Sequence, residues 1–514
     1  MLKRIIGMMM VVILLGGCAE EDCDPVGPGG VTVLPGHLLI RTQDDLDLLA
    51  GLEEIKGHLS IASASDAEAI TDLSPLSSLR RVGGTLYIRG LIGVEDFSPL
   101  ENLECVGGGL RLQDLPQLSD LSALDGLPEL GTLELANLPS LRRLPVLPYS
   151  ETPLNLSLFA CDSLRNLDAL ENTGKFREVE IRSCANLESL AGLRNATQLL
   201  ALKIHDCPRI TTLFEPVNLD GNPSVQIGDC PLLEDLESIG ALSRVSSLHL
   251  NGGLPITSLG QLGNLPHLNY LYIQDCPDLA NLDASGLPAL HRIYLQGLPE
   301  VQSLEGLNQS SLLREITIVD TPSPTSLSPL AGLSQLNALT LKGTSGLESL
   351  VSLPSLPSLS ELELGGLTSL TDLTGLSGAG NLVQLRINDC GAQDFSGAGT
   401  FPNLREFHVA SNPNLVDFSG ITLPDTLHTL SITFHDELAS MDGLENIEAC
   451  DRLEIIWNSS LNSLDGLESL QYLGLYTHVI QYNESLDSCW LDEYLDSLQI
   501  EGNMVARDNG PCAD

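Results

Sequence analysis

Six cysteines share one phase of the chain. Cys161, Cys184, Cys207 and Cys230 follow one another at steps of 23 residues, and Cys276 and Cys390 fall on the same beat. Thiols at a fixed spacing can ligate a soft metal, pair as disulfides or lie inert in a core. The chain has no C-x-x-C pair, and no histidine reads as sharing the phase, which weighs against zinc. The regular phase favours a ladder of buried structural thiols bonded weakly to loop carbonyls. Oxidation between neighbouring thiols is the alternative, since disulfides tolerate Cα separations of about 4.4–6.8 Å.

Aspartates 114, 206, 229, 275, 320 and 389 each stand one residue before that ladder position. Only Asp206 and Asp229 fall on neighbouring units, so solvated strand-end carboxylates are a better reading than a divalent-cation site. A second group mixes aromatic and basic residues: Arg182, Lys203, His205, His249, Tyr270, Tyr272, Arg292 and Tyr294. Three of the nine tyrosines gather there, with basic residues that are scarce elsewhere. Tyrosine and arginine anchor protein interfaces, and aromatic platforms also suit sugars. Exposed strand positions favour tyrosine for cross-strand packing as well. No P-loop, G-x-S-x-G, H-E-x-x-H or EF-hand pattern occurs, so the sequence points to no catalytic residues, cofactor or metal.

The element that must position all of these is a repeat. An apolar L-x-L pair recurs from Leu133 through Leu156, Val179, Leu202, Val225, Leu248 and Leu271 in unbroken steps of 23. It continues at Ile293, Ile316, Leu339, Leu362, Leu385, Phe407, Leu430 and Leu453 in steps of 22 or 23. Looser steps add Leu110, Leu86, Leu59 and Leu38 before it and Leu473 and Leu498 after it, making 21 candidate strands. A fixed period in this range signals a solenoid. Alternation over Leu202-Lys203-Ile204-His205 gives a short strand with one buried face. Prolines such as Pro116, Pro208 and Pro277 follow the ladder position and are expected to end each strand. The rest of each unit shows L-x-x-L spacing, as at Leu461, Leu464 and Leu467, which predicts a helical or 3₁₀ return. A parallel β-helix would instead show period-two alternation on three sides. A lone unit buries too little to offset the ordering of its backbone, so stacking must supply stability.

Composition agrees. The 514 residues are 43% hydrophobic but only 4% aromatic, giving an aliphatic core. Lysine and arginine total 25 against 68 acidic residues, for a formal charge of -43 that repels nucleic acid. Most glutamates and aspartates of the L-E-S-L and L-D-G-L type fall on the convex returns, which leaves the concave stretch less acidic.

Residues 1–17 read as a targeting segment, with Lys3 and Arg4 before an apolar run from Ile5 to Leu15. The sequence Leu15-Gly16-Gly17-Cys18 resembles the lipobox of bacterial lipoprotein signal peptides. That resemblance implies cleavage before Cys18, acylation of its thiol and amine, and anchoring worth about 0.8 kcal/mol per buried methylene. Ala19, where an aspartate would favour inner-membrane retention, points to the outer membrane. The acidic, then Gly/Pro-rich residues 18–33 form a lipidated tether.

The frame closed by Cys207 in residues 199–221, L-x-x-L-x-L-x-x-C, resembles the leucine-rich repeat. It implies an α/β solenoid: a leucine-rich-repeat horseshoe with about 21 short parallel strands on the concave face and irregular, 3₁₀ or short helical convex returns. Residues 34–132 resemble receptor L-domain-like repeats, through DDLDLLAGLEEIKGHLSI, LSPLSSLRRVGGTLYI and FSPLENLECVGGGLRL. Here Gly83-Gly84 and Gly107-Gly108 would give a side-chain-free strand entry. Residues 133–480 read as regular repeats. The tail 481–514 resembles the cysteine-bearing caps that close such arrays, implying a Cys489–Cys512 disulfide in an oxidising envelope. Cys450 falls at an inward leucine position. With Cys18 lipidated, Cys23 and Cys105 remain as a pair that would staple the N-terminal cap.

The expected protein is a monomeric, non-enzymatic, lipid-anchored envelope module. It would bind a protein or carbohydrate at the cell surface through its concave face, touching membrane only through its anchor. A structural envelope scaffold without a discrete ligand is the alternative.

Overall fold

The computed structural model describes residues 33–512, apart from 64–68, 215–218, 235, 243 and 323. The signal-like segment, Cys18 and Cys23 lie outside the described residues. The chain forms two compact units, Met1–Pro255 and Ile256–Asp514. No helix among the described residues is long and apolar enough to cross a membrane.

In the first unit the apolar beat becomes a column of parallel strands in register. Leu156, Val179, Leu202, Val225 and Leu248 face one another across successive strands, and all are buried. The second unit repeats the pattern, pairing Leu271, Ile293, Ile316, Leu339, Leu362, Leu385, Phe407, Leu430 and Leu453 in turn. Strand positions alternate between buried and partly exposed, as in Tyr270–Gln274 and Glu315–Val319. The returns are short 3₁₀ turns such as Ser98–Leu100, Ala191–Leu193 and Ser328–Leu330. Each unit is therefore a leucine-rich-repeat solenoid.

The strands do not stop at proline. They stop at a residue with left-handed backbone, the place of Asp114, Asn137, Ser183, Asp206, Asp229 and Asp275, with φ between 52° and 56°. Aspartate, asparagine and glycine tolerate this conformation, in which a Cβ otherwise crowds the carbonyl. The aspartates in front of the ladder therefore answer a backbone requirement. Proline comes two residues later and opens the turn.

Two further expectations need correction. The strands placed at Leu473 and Leu498 follow a different path. Leu473 pairs with Cys450, three residues ahead of the main column, and Leu498 lies in no strand. The column instead continues through Thr477–Gln481 and Asn503–Arg507. The last repeats carry extra residues, and buried His478 takes an inward place that hydropathy alone assigns to leucine. Histidine also does share the ladder phase: steps of 22 and then 23 from Cys390 lead to Asn412 and His435, both buried.

From Asn412 onward the ladder changes chemistry. The amides of Asn458 and Asn483 donate to the carbonyls of Ile432 and Ile455 at 3.1 and 3.0 Å. Their Oδ1 atoms accept the backbone N–H of the preceding ladder residues, His435 and Asn458, at 3.2 and 3.0 Å. Backbone groups that would lie buried and unpaired are satisfied in this way.

The N-terminal repeats carry a second parallel sheet, formed by Val33–Leu34, Glu54–Ile55, Arg81–Val82 and Cys105–Val106. The chain passes from it to the main strands through Gly83-Gly84 and Gly107-Gly108. A Cβ on Gly83 would collide with the Lys56 carbonyl, and one on Gly107 with that of Gly83. At the other end, helix Ser488–Asp496 is capped by Asp487, whose carboxylate accepts from the N–H groups of Cys489 and Trp490. Leu491 is buried, and the Tyr494 hydroxyl donates to the Leu467 carbonyl at 2.8 Å.

Candidate functional site on the exposed sheet face

The partly exposed positions of strands Tyr270–Gln274, Arg292–Gln296 and Glu315–Val319 form three columns, fixed by register. Tyr270, Arg292 and Glu315 make the first, Tyr272, Tyr294 and Thr317 the second, and Gln274, Gln296 and Val319 the third. Tyr272 and Tyr294 stack with ring centroids 4.6 Å apart and planes 10° from parallel. Each phenol donates to a glutamine two residues along its own strand, Tyr272 to Gln274 at 2.6 Å and Tyr294 to Gln296 at 3.0 Å. Stacking fixes the rings and the glutamines fix their hydroxyls, so the pair is ordered before any partner arrives. Burial, and then the neighbouring Tyr294, push the Tyr272 phenol above its ordinary pKa; burial does the same for Tyr270. Both stay neutral donors near pH 7.

Beside the pair lies an open groove of about 820 Å³. Its floor includes Tyr270, Arg292, Tyr294 and Glu315, and its border carries Asn269, His291, Arg314 and Asn337. Arg292 pairs with Glu315 at 3.0 Å, but the side chains are 61% and 41% exposed. Such a pair contributes about 0–1 kcal/mol, so a ligand can displace it at little cost. His291 Nδ1 donates to the Ala289 carbonyl at 2.6 Å, which leaves Nε2 as the acceptor in the neutral ring. The groove thus combines flat aromatic area, two guanidiniums and several amide or imidazole groups. That suits recognition of polar, shape-matched ligands. The border residues follow the same beat of 22 and 23 residues, one position before Tyr270, Arg292 and Glu315. They precede the alternating strand residues, so a phase drawn through the strands alone passes them by.

Of the expected binding residues, Tyr270, Tyr272, Arg292 and Tyr294 come together here. Arg182, Lys203, His205 and His249 belong to the first unit, on strands Lys175–Arg182, Gln198–His205 and Ser247–Asn251. Arg182 lies 2.7 Å from Glu180, Lys203 lies 2.6 Å from Glu178, and His205 lies 3.9 Å from Asp229. Burial lowers the pKa of His249, whose Nε2 is 3.1 Å from the Ser247 hydroxyl. These contacts correct the expectation of a sheet face poor in acid. Glu134, Glu178, Glu180, Glu315, Glu363 and Glu406 all lie on partly exposed strand positions and meet the cations there. Several aspartates of the return segments serve the backbone instead. Asp72, Asp96 and Asp372 accept backbone N–H groups at the start of 3₁₀ turns.

Cys161, Cys184, Cys207, Cys230, Cys276 and Cys390 are all free thiols and buried, as is Cys450. Cys184, Cys207, Cys230 and Cys276 donate to the carbonyl two residues earlier, at 3.5, 3.3, 3.2 and 3.5 Å. Hydrogen bonding to Cys161 helps push the Cys184 thiol up to about 12, and the Cys184 contact raises Cys207 further. Burial pushes Cys230 and Cys390 up to about 12. A thiol so raised is a poor nucleophile and a poor metal ligand. Cys489 and Cys512 are joined, with Cα atoms 5.1 Å apart. Cys105 is also disulfide-bonded, while Cys23, its expected partner, lies outside the described residues.

No family model and no curated protein matches this chain. Among solved structures, an internalin from Listeria monocytogenes is similar at 17% identity, over 70% of this chain and 87% of that one, with a TM-score of 0.30. A leucine-rich-repeat protein from Leptospira interrogans is similar at 15% identity, over 65% of this chain and 97% of that one, with a TM-score of 0.32. The functional domain of InlJ from Listeria monocytogenes, which includes a cysteine ladder, is similar at 14% identity, over 88% of this chain and 74% of that one, with a TM-score of 0.27. The fold assignment rests on strand register, not on these similarities.

Proposed function

We infer that the protein is a recognition module that binds a protein or a glycan through the exposed strand face of its second unit. The observation that carries this reading is the stacked Tyr272–Tyr294 pair, held by its glutamines beside the groove of Arg292 and Arg314. An interface needs rigid aromatic anchors with polar groups around them, and this arrangement provides both. The acid excess argues against nucleic acid as the partner. The lipobox-like Leu15-Gly16-Gly17-Cys18 supports a lipid anchor at Cys18 in the bacterial envelope, with the outer membrane as its place. Labelling with radioactive palmitate, lost in Cys18→Ser, tests the anchor.

The binding reading is tested with Tyr272→Ala combined with Tyr294→Ala. A stacked pair is worth about 0.5–1.5 kcal/mol, so the variant keeps a melting temperature close to that of the parent. In a surface-extract pull-down and a glycan array run side by side, the ligand retained by the parent should be lost. Retention of every ligand by the double variant removes this face from consideration.

A further inference from the structure

The left-handed residue that closes each strand is aspartate, asparagine, serine or glycine in most turns. Three successive turns of the second unit break that rule with Phe434 at φ 62°, Trp457 at φ 58° and Tyr482 at φ 58°. A bulky side chain in this conformation is disfavoured, and such outliers concentrate where function requires them. Register brings them side by side. Thr433 pairs with Ile456 and His435 with Asn458, so Phe434 stands opposite Trp457. Ile456 pairs with Gln481, directly before Tyr482. Burial does not account for the choice, because Phe434 is 54% and Trp457 46% exposed. Trp457 and Tyr482 stack with centroids 4.4 Å apart and planes 18° from parallel. The flanking turns return to ordinary residues, Ser411 and Asp508.

The surroundings indicate what such a strip would meet. Turn segments 434–440, 457–463 and 482–488 contain no lysine or arginine, while Asp436, Glu437 and Glu484 are exposed there. Aromatic faces are electron-rich and attract guanidinium and ammonium groups, all the more with carboxylates alongside. A neutral sugar would need open ring faces, and Trp457 and Tyr482 each already cover one face of the other. We propose that Phe434, Trp457 and Tyr482 form a docking strip for an arginine- or lysine-bearing polypeptide segment, with Asp436, Glu437 and Glu484 supplying the counter-charge. The strip shares no residue with the tyrosine groove, so each stands or fails without the other.

The test uses the full chain carrying Trp490→Phe, which leaves Trp457 as its one tryptophan. Acetylated hexaarginine amide is the probe, with cellohexaose as the neutral-sugar comparison. Hexaarginine should quench Trp457 emission saturably and weaken several-fold as salt is raised, while cellohexaose leaves the emission unchanged. In a second arm, Phe434→Asn, Trp457→Asn and Tyr482→Asn are combined and binding of fluorescein-labelled hexaarginine is read by anisotropy. Asparagine accepts the left-handed backbone, so the melting temperature should equal or exceed that of the parent while affinity falls at least tenfold. Equal affinity in the triple variant overturns the proposal, because general attraction to an acidic chain then suffices. A lowered melting temperature also overturns it, assigning the rings to stability. A response to cellohexaose without one to hexaarginine replaces the proposed partner with a glycan.

Discussion

The Nδ1 atom of His435 accepts the backbone N–H of Asn412 at 3.2 Å, which makes a histidine stand in for asparagine in the buried ladder. Its Nε2 lies 3.2 Å from the Val409 carbonyl and must carry the proton. In the neutral ring Nδ1 is the acceptor, and protonation there would exchange the Asn412 N–H for the Asn412 carbonyl, 3.3 Å away. Burial lowers its pKa below 6.5; the carbonyls and Asp436 oppose that shift without cancelling it. Because the folded value lies below the unfolded one, the unfolded chain binds more protons as pH falls through 6.5. Stability should be full above that pH and be lost as pH falls toward the lowered folded pKa. Melting temperatures from pH 7.5 to 5 should show this decline, and His435→Asn should flatten it. An unaltered slope in the variant would place the sensitivity elsewhere.

The seven free thiols among the described residues are shielded by burial, and several are further held as thiols by hydrogen bonds. Iodoacetamide should leave Cys161, Cys184, Cys207, Cys230, Cys276, Cys390 and Cys450 unmodified in the folded chain and label all of them in concentrated urea. Peptide mass spectrometry reads the outcome site by site. Rapid labelling of Cys207 under native conditions would mean that the ladder opens locally.

The backbone at Asp389 is left-handed, with φ 53°. Asp389→Gly should leave stability nearly unchanged, whereas Asp389→Val should cost about 1–2 kcal/mol from crowding between Cβ and carbonyl. Urea midpoints of the two variants separate backbone need from charge. Equal losses in both would return the role to the carboxylate.

At the N-terminal end, Gly107→Ala drives a methyl group into the Gly83 carbonyl. Overpacking of this kind costs about 1–3 kcal/mol. Gly131→Ala is the comparison, since nothing lies within 4 Å of the added Cβ. Hydrogen exchange should show faster opening of strand Gly109–Gln113 in the first variant only.

How much of this was legible in the sequence follows from what a hydrophobic beat can carry. The strands from Leu133 to Leu453 were readable because both places of the inward L-x-L pair held an aliphatic or Phe407. The beat failed at His478, since a buried histidine that bonds the Leu453 N–H at 3.2 Å looks polar in sequence. The left-handed column was visible as aspartates, but its cause is a dihedral angle, and Phe434, Trp457 and Tyr482 concealed it. The tyrosines could be phased to one face. Their pairing with Gln274 and Gln296, and the glutamates facing Lys203 and Arg292, depend on rotamers that spacing does not encode.

Two kinds of ladder, one of thiols and one of amides, tie each turn to the next. Cys184, Cys207 and Cys230 each donate to a carbonyl of their own turn, and each is also hydrogen-bonded to the backbone of the ladder cysteine one turn before. From Asn412 to Asn483 each ladder N–H is received by the side chain of the next turn. Deleting a unit from either stretch hands its neighbour a new partner of the same kind. A whole 23-residue unit added to or removed from the cysteine stretch therefore keeps its ladder continuous, since each thiol meets another thiol.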